Sequence, residues 1–204
     1  MDLDSITDIE GNLSQNATYK AKEAAEIEAN ANMRCAREPL SWKELKEIVA
    51  AEDPSKMGKR CYEVQLEYEK LKLMVKKEYG TMFEYLKTHV LTDFVAQTKE
   101  PEFDPSTPLT ASNLLLVKAD FPYYFEEGVE HWIIWCTKYL PVGNVCPDAA
   151  AKVIKQAFGN DAEWTYLVNI VENQSVQELS HGHIFVKRSP DAVPAATKND
   201  SKQQ

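Results

Sequence analysis

The hydrophobic period changes once along this chain, across the proline-punctuated stretch TKEPEFDPSTPLTASN at residues 98–113. Before it, apolar residues recur at spacings of three and four, the period of a helix with one buried stripe. After it come short runs rich in Ile, Val and Trp, the pattern of strands. One switch from helix period to strand period in a chain of 204 residues predicts an α+β fold. A helical N-terminal half packs on a mainly antiparallel sheet built from the C-terminal half.

The helical half reads as three segments. In PLSWKELKEIVAAED, Ser41 and Glu44 form a capping box, Trp42, Leu45, Ile48 and Val49 make the inner face, and Asp53-Pro54 stops the helix. KRCYEVQLEYEKLKLMVKKEYG carries Val64, Tyr68, Leu71, Val75 and Tyr79 on one stripe and ends at Gly80. Thr81 and Glu84 repeat the capping pattern and open a helix with Phe83, Leu86, Val90 and Phe94 inward.

In the second half, LLLV and VEHWIIWCT read as strands, the latter apolar on both faces and therefore central. CPDAAAKVIKQAFG is an amphipathic helix running from Pro147 to Gly159, with Ala150, Ile154 and Phe158 inward. EWTYLVNIV alternates Trp164, Tyr166, Val168 and Ile170 against Thr165, Leu167 and Asn169. HGHIFVK supplies the last strand. Residues 1–38 form an acidic segment, partly disordered or loosely helical, residues 39–188 a single domain, and residues 189–204 a tail with no apolar face to bury. Neither end is expected to carry chemistry.

Composition narrows the function classes. The formal charge is −9 and no basic cluster is present to neutralise a run of phosphates, so nucleic acid is not an expected partner. No window reaches the ~18 apolar residues needed to cross a bilayer, and the acidic N-terminus MDLDSITDIEG lacks the basic character of a targeting peptide. The expected location is the cytoplasm, with access to the nucleus, and no membrane partner. Cys35, Cys61, Cys136 and Cys146 are scattered, without metal or redox spacing, and are expected to be reduced thiols. No motif for a cofactor or a metal is present, and the oligomeric state is not readable.

Chemistry concentrates near the C-terminus. On a strand, His181 and His183 share a face with Phe185. Such a pair suits hydrogen bonding in a core, a site in which one ring is nucleophile or base and the other binds a substrate oxygen, or, least of the three, a metal ion. His131 opens the central strand and is the candidate to join them, with Asp120, Glu126, Glu127 and Glu178 as possible carboxylates. Asn173, Gln174 and Ser175 either close a turn through their own backbone or offer amides and a hydroxyl to a ligand. The loop ADFPYYF, with Asp120, Pro122 and Tyr123, either walls a pocket or completes the core.

Taken in order, LSWKELKEIV, ADFPYYFEEGVEHWIIWCTK and WTYLVNIVENQSVQELSHGHIFV resemble the N-acetylglucosamine-induced protein family, a largely fungal domain of unknown function. The matching positions are Asp120, Phe121, Pro122 and Tyr123; His131, Trp135 and Lys138; Trp164, Asn173, Ser175 and Val176; and His181 with His183. Ala119, Tyr124 and Gly182 depart from that pattern. The resemblance implies a link to amino-sugar use or signalling, and a pocket for a small phosphorylated or sugar-nucleotide metabolite made by Asp120, Pro122, Tyr123, His131, Asn173, Gln174 and Ser175. A fainter similarity, carried by QSV followed by the two histidines, is to histidine-triad nucleotide hydrolases and transferases. It implies His181 or His183 as a nucleophile, with the histidines one residue further from QSV than that pattern has, an offset that a β-bulge would absorb. A regulatory or scaffold protein without a small ligand is the non-enzymatic alternative.

Overall fold

Ser41 is the N-cap of the helix Trp42–Ala50. Its side chain accepts the Glu44 N–H (3.3 Å) while the Glu44 carboxylate accepts the Ser41 N–H (3.0 Å), closing the capping box. The computed structural model describes residues 20–52, 56–96, 104 and 106–188. Its elements are α1 (residues 20–34), α2 (Trp42–Ala50), α3 (Tyr62–Glu78), α4 (Met82–His89), α5 (Thr92–Ala96), β1 (Leu114–Lys118), β2 (Val129–Cys136), α6 (Asp148–Phe158), β3 (Glu163–Leu167) and β4 (Ser180–Lys187). The expected stop at Asp53-Pro54 and the C-terminal tail lie outside the described residues. The α+β division is as the periodicity predicts.

All strand pairs are antiparallel, in the order β1-β2-β4-β3. β2 and β4 are the inner strands, buried along most of their length, which is why neither shows a polar face in the sequence. Paired residues of adjacent strands point to the same side. From Leu115↔Trp135↔His181 and Val117↔Ile133↔His183, one face therefore carries His131, Ile133, Trp135, His181, His183 and Phe185. The opposite face carries Trp132, Ile134, Cys136, Ile184, Val186 and Tyr166, and α6 covers it through Ala150 and Ile154. Gly182 belongs to that second face. A Cβ there would stand 2.6 Å from Tyr166 Cε2, so the tyrosine ring occupies the space a side chain would need.

The histidine face is covered in two separate places. At one end α2 packs Trp42, Leu45 and Val49 on Leu167 and Phe185. At the other, Leu91, Val176 and Leu179 gather around Trp135, with Phe83, Leu86, Val90 and Phe94 from the α4–α5 region. Between these apolar clusters lies the polar part of the sheet.

Two elements differ from the sequence reading. The helix predicted from Thr81 through Phe94 breaks at Val90–Leu91, where both N–H groups bond the Leu86 carbonyl (2.9 and 2.8 Å). The β-branched Thr88, Val90 and Thr92 occupy the join, and the Thr92 hydroxyl takes the Thr88 carbonyl (2.9 Å). The strand read through Val171 ends at Leu167. Val168 instead exchanges both backbone bonds with Gly143 (2.9 and 3.0 Å), and Ile170, read as part of the strand, lies beyond it and is exposed.

Residues 20–34 pack on the domain, with residues 1–19 outside the described residues: α1 buries Ala31, Glu23 pairs with Lys77 of α3 (2.7 Å), and Arg34 reaches Glu69 (3.8 Å).

Candidate functional site

β2 and β4 place His131 and His183 diagonally across the central strand pair, with His131 Nε2 2.9 Å from His183 Nδ1. Both rings are buried. His131 Nδ1 faces the backbone N–H of Tyr123 (3.3 Å), and His183 Nε2 faces the Asn169 side-chain amide (3.0 Å). All four ring nitrogens of the pair are therefore engaged.

The Tyr123 N–H is a fixed donor, and it sets the direction of the whole chain. His131 Nδ1 must accept, so in a neutral ring its proton is on Nε2 and is donated to His183 Nδ1. The His183 proton is then on Nε2 and needs an acceptor. The Asn169 amide supplies one by presenting Oδ1, an atom otherwise buried without a partner, in place of the isosteric nitrogen.

His181 is built differently. Its Nδ1–H donates to the Leu179 carbonyl (3.2 Å), leaving the Nε2 lone pair without a protein partner among the described residues. The ring packs on Trp135, with centroids 4.9 Å apart. Trp135 Nε1 is a second buried polar atom without a partner here.

Burial holds all three imidazoles neutral. It pushes His131 down to about 3, with the positive charge of Arg60 adding to the effect. Burial also drives His183 well below its ordinary value, helped by the neighbouring histidines and Arg60, and lowers His181 against the opposing bond to Leu179. At neutral pH His131 and His183 are hydrogen-bonding groups with every ring nitrogen engaged, and of the three rings His181 alone keeps a lone pair that can serve as an acceptor, base or nucleophile. None of them supplies cationic charge to an anion.

A cavity of about 410 Å³ opens over this stripe, within the size range of small-molecule sites. Of the residues singled out from the sequence, Asp120, Tyr123, His131, Asn173, Gln174, Ser175, His181 and His183 line it. Pro122 does not; it lies in the loop that carries Tyr123 to the wall. That loop is anchored by Ala119 N–H to the His131 carbonyl (3.0 Å) and by Tyr124 N–H to the Lys59 carbonyl (2.7 Å), and Tyr124 adopts no left-handed φ that would call for glycine. The Tyr123 ring lies over His131, with centroids 4.7 Å apart. Burial raises the Asp120 carboxyl. Gln174 also serves its own turn, donating to the Asn169 carbonyl (2.7 Å). Of the other carboxylates considered, Glu126 pairs with Lys187, and Glu127 and Glu178 are not in the lining.

The sequence reading missed Asn169, Trp135, Arg34, Arg60, Tyr68 and Lys72 as lining residues. Asn169 had a signal, since it continues the Thr165–Leu167 face and Leu167 registers with His183. Arg34 comes from the N-terminal segment expected to stand apart from any site. Among the described residues, no group of three or more His, Cys, Asp or Glu side chains is placed to hold a metal ion. No helix among them is long and apolar enough to cross a membrane. β4 pairs in unbroken register with both neighbours, so no bulge within it absorbs the offset of the histidine-triad pattern.

A four-stranded antiparallel sheet with helices on both faces and a buried neutral histidine pair under a cavity defines an α+β protein with an internal polar site. The chain belongs to a family described as protein of unknown function (DUF3605), which matches residues 41–187. It is 27% identical over 162 residues to the uncharacterized protein YPL067C of Saccharomyces cerevisiae, covering 71% of this chain and 77% of that one. Its fold is similar to the crystal structure of HTC1, with a TM-score of 0.52 and 23% identity over 74% of this chain and 86% of the other.

Proposed function

We propose that this chain is a cytoplasmic small-molecule-binding protein whose cavity takes a small phosphorylated or sugar-nucleotide metabolite within an amino-sugar response. The observation that carries the reading is the cavity itself. It combines a buried, neutral hydrogen-bonding floor (His131, His183, Asn169) with the cations Arg34, Arg60 and Lys72 and the aromatic rings of Tyr68, Phe121 and Tyr123. Apolar walls with a few convergent polar groups are what a small ligand needs, and the cations favour one that carries negative charge. The link to amino sugars comes from the family resemblance. A thermal-shift screen against amino sugars, their phosphates and their nucleotide derivatives tests the reading. A raised melting temperature with at least one of them is expected, and no shift at concentrations well above metabolite levels overturns it.

His181 supports a second reading, a nucleotidyl hydrolase or transferase. Its Nε2 lone pair is the one histidine nitrogen of the three not engaged by protein in the chain described above. Attack by Nε2 on the α-phosphorus of a nucleotide conjugate would form a P–N bond as the P–O bond to the leaving group breaks, the leaving oxygen taking a proton from solvent, and water would later cleave the P–N bond to release the nucleoside monophosphate. This reading predicts an acid-labile nucleotidyl adduct that disappears in His181→Ala and persists in a folded His183→Gln.

A further inference from the structure

A second cavity of about 310 Å³ adjoins the first, and Arg34, Arg60, Tyr68, Lys72, Tyr123, Asn169 and Asn173 line both, so the two form one cleft with two chambers. The second chamber differs in character. Arg34, Lys59, Arg60 and Lys72 line it, and no carboxylate does. Arg34 and Lys72 share a single carboxylate behind the wall, Glu69, at 3.8 and 2.8 Å. Among the described residues no carboxylate lies within ion-pair distance of Lys59 or Arg60. In a chain of net charge −9, this leaves Lys59 and Arg60 as the cations of the second chamber without an ion-pair partner among the described residues, while the cleft's carboxylates, Asp120 and Glu172, line the first chamber.

Arg60 is held ready for an anion. Its Nε donates to the Phe121 carbonyl (3.0 Å), and its guanidinium carbon stands 4.0 Å from the centroid of the Tyr68 ring. Both contacts restrain the guanidinium and use neither terminal nitrogen in a hydrogen bond, which leaves these for a bidentate partner. The backbone opposite is close because residue 58 is glycine: a Cβ there would stand 3.1 Å from Tyr123 Cβ. The first chamber has an aliphatic wall (Leu86, Val90, Ile133), Asp120, and His181 at its floor.

We infer that the second chamber is a phosphoryl-binding subsite centred on Arg60, with Lys59 and Lys72 as further donors, and that it orients a free phosphorylated metabolite with its uncharged body in the first chamber against His181. The inference rests on the proposed small-ligand function and adds which end of the ligand goes where. The enclosing walls of α3 and the Tyr123 loop fit a free metabolite; a lipid headgroup shares the phosphoryl chemistry and is separated by the test.

Calorimetric titration of the full chain with inorganic pyrophosphate, N-acetylglucosamine 6-phosphate and N-acetylglucosamine provides that test. Pyrophosphate and the sugar phosphate are expected to bind with affinity that falls as salt rises. Arg60→Gln should weaken both by about tenfold or more, the loss of a charge-assisted bidentate contact, and Arg60→Lys should recover part of it. Lys59→Gln, at an exposed position with no side-chain partner, should weaken both several-fold without disturbing the fold. Unchanged affinity for the phosphorylated ligands in both Gln variants overturns the subsite. Binding of N-acetylglucosamine alone overturns the subsite and leaves the small-ligand function standing. Pyrophosphate binding that is sensitive to Arg60→Gln, without binding of either sugar, keeps the subsite and removes the amino-sugar reading. Binding of none of the three overturns the subsite. Co-sedimentation with vesicles containing phosphatidylinositol 4-phosphate, with no binding of the free anions, overturns the free-metabolite assignment.

Discussion

His131 Nε2 donates to His183 Nδ1 across the central strands of the sheet (2.9 Å), and the direction of that bond is dictated by a backbone amide, the Tyr123 N–H. Three tautomers follow. His131 and His183 carry their protons on Nε2, whereas His181, donating to the Leu179 carbonyl, carries its proton on Nδ1. Nitrogen-15 correlation spectra at neutral pH, with the exposed His89 removed by substitution, should show two histidines in the Nε2–H form and one in the less common Nδ1–H form. Nε2–H forms for all three of the buried rings would contradict the assignment of His181 as the ring with its Nε2 lone pair toward the cavity.

The same chain resists protonation. A second proton on His131 would face the Tyr123 N–H, and one on His183 Nδ1 would face the His131 Nε2–H. The folded-state values of His131, His181 and His183 are all lowered, so below about pH 6.5 the unfolded chain binds more protons than the native one. Stability is thus fully present above that pH and is lost as pH falls, by up to about 1.4 kcal/mol per pH unit for each histidine. Urea denaturation at a series of values between about pH 7.5 and 5 should show this slope, and His183→Gln should reduce it. A flat profile would mean that all three rings take up protons in the native protein as readily as in the unfolded chain.

Much of this architecture was legible in the chain because local chemistry and tertiary packing agree there. Ser41 with Glu44, the Trp42–Leu45–Val49 stripe and the doubly apolar β2 each encode their element directly. The errors fall where neighbours decide. Val168 has strand chemistry but pairs with Gly143, a choice made by a segment 25 residues away, and Thr88 and Thr92 break a helix whose apolar stripe runs on through Leu91. The histidine half of the site was readable from period-two spacing. Its basic half was not, since Arg34, Lys59, Arg60 and Lys72 come from α1, α3 and the loop before α3, with no pattern linking them.

Gly182 between the two histidines is explained by what lies beneath them. Gly182→Ala would set its Cβ 2.6 Å from Tyr166 Cε2, a contact that forces the buried ring or the central strand to move. A loss of about 1–3 kcal/mol is expected, the usual cost of overpacking. Tyr166→Phe should be neutral or stabilising, because it removes a buried hydroxyl that has no partner. In the double variant Gly182→Ala/Tyr166→Leu the shape conflict is relieved, so the combined loss should be smaller than the sum of the single losses.

Trp135 Nε1 is the other orphaned donor, and it sits in the lining of the first chamber. Trp135→Phe removes the unpaired N–H together with one ring of the indole that packs against Leu91, Val176 and Leu179, so a loss of about 1–2 kcal/mol is expected. If the donor serves a ligand, ligand affinity should also weaken several-fold in the variant measured well below its own melting temperature.

Asn169 is the acceptor that ends the histidine chain, and an acid in its place separates hydrogen bonding from charge. Asn169→Ala leaves the buried His183 Nε2–H unpaired, which costs about 1–3 kcal/mol at any pH at which the rings are neutral. Asn169→Asp restores an acceptor but adds a carboxylate at a buried position, where burial raises its folded-state value. The neighbouring imidazole cannot offset that cost by taking a proton, because the Tyr123 N–H fixes the chain in its neutral direction. An acid raised on folding binds more protons in the native state, so its contribution to stability falls as pH rises from about 4. The difference between Asn169→Asp and wild type should therefore be smallest near about pH 5 and largest above neutrality. Nitrogen-15 correlation spectra of Asn169→Asp separate this state from an ion pair with the same proton count: a doubly protonated His183 at neutral pH would show that it accepts a proton beside the new carboxylate, and that the amide of Tyr123 does not control the pair.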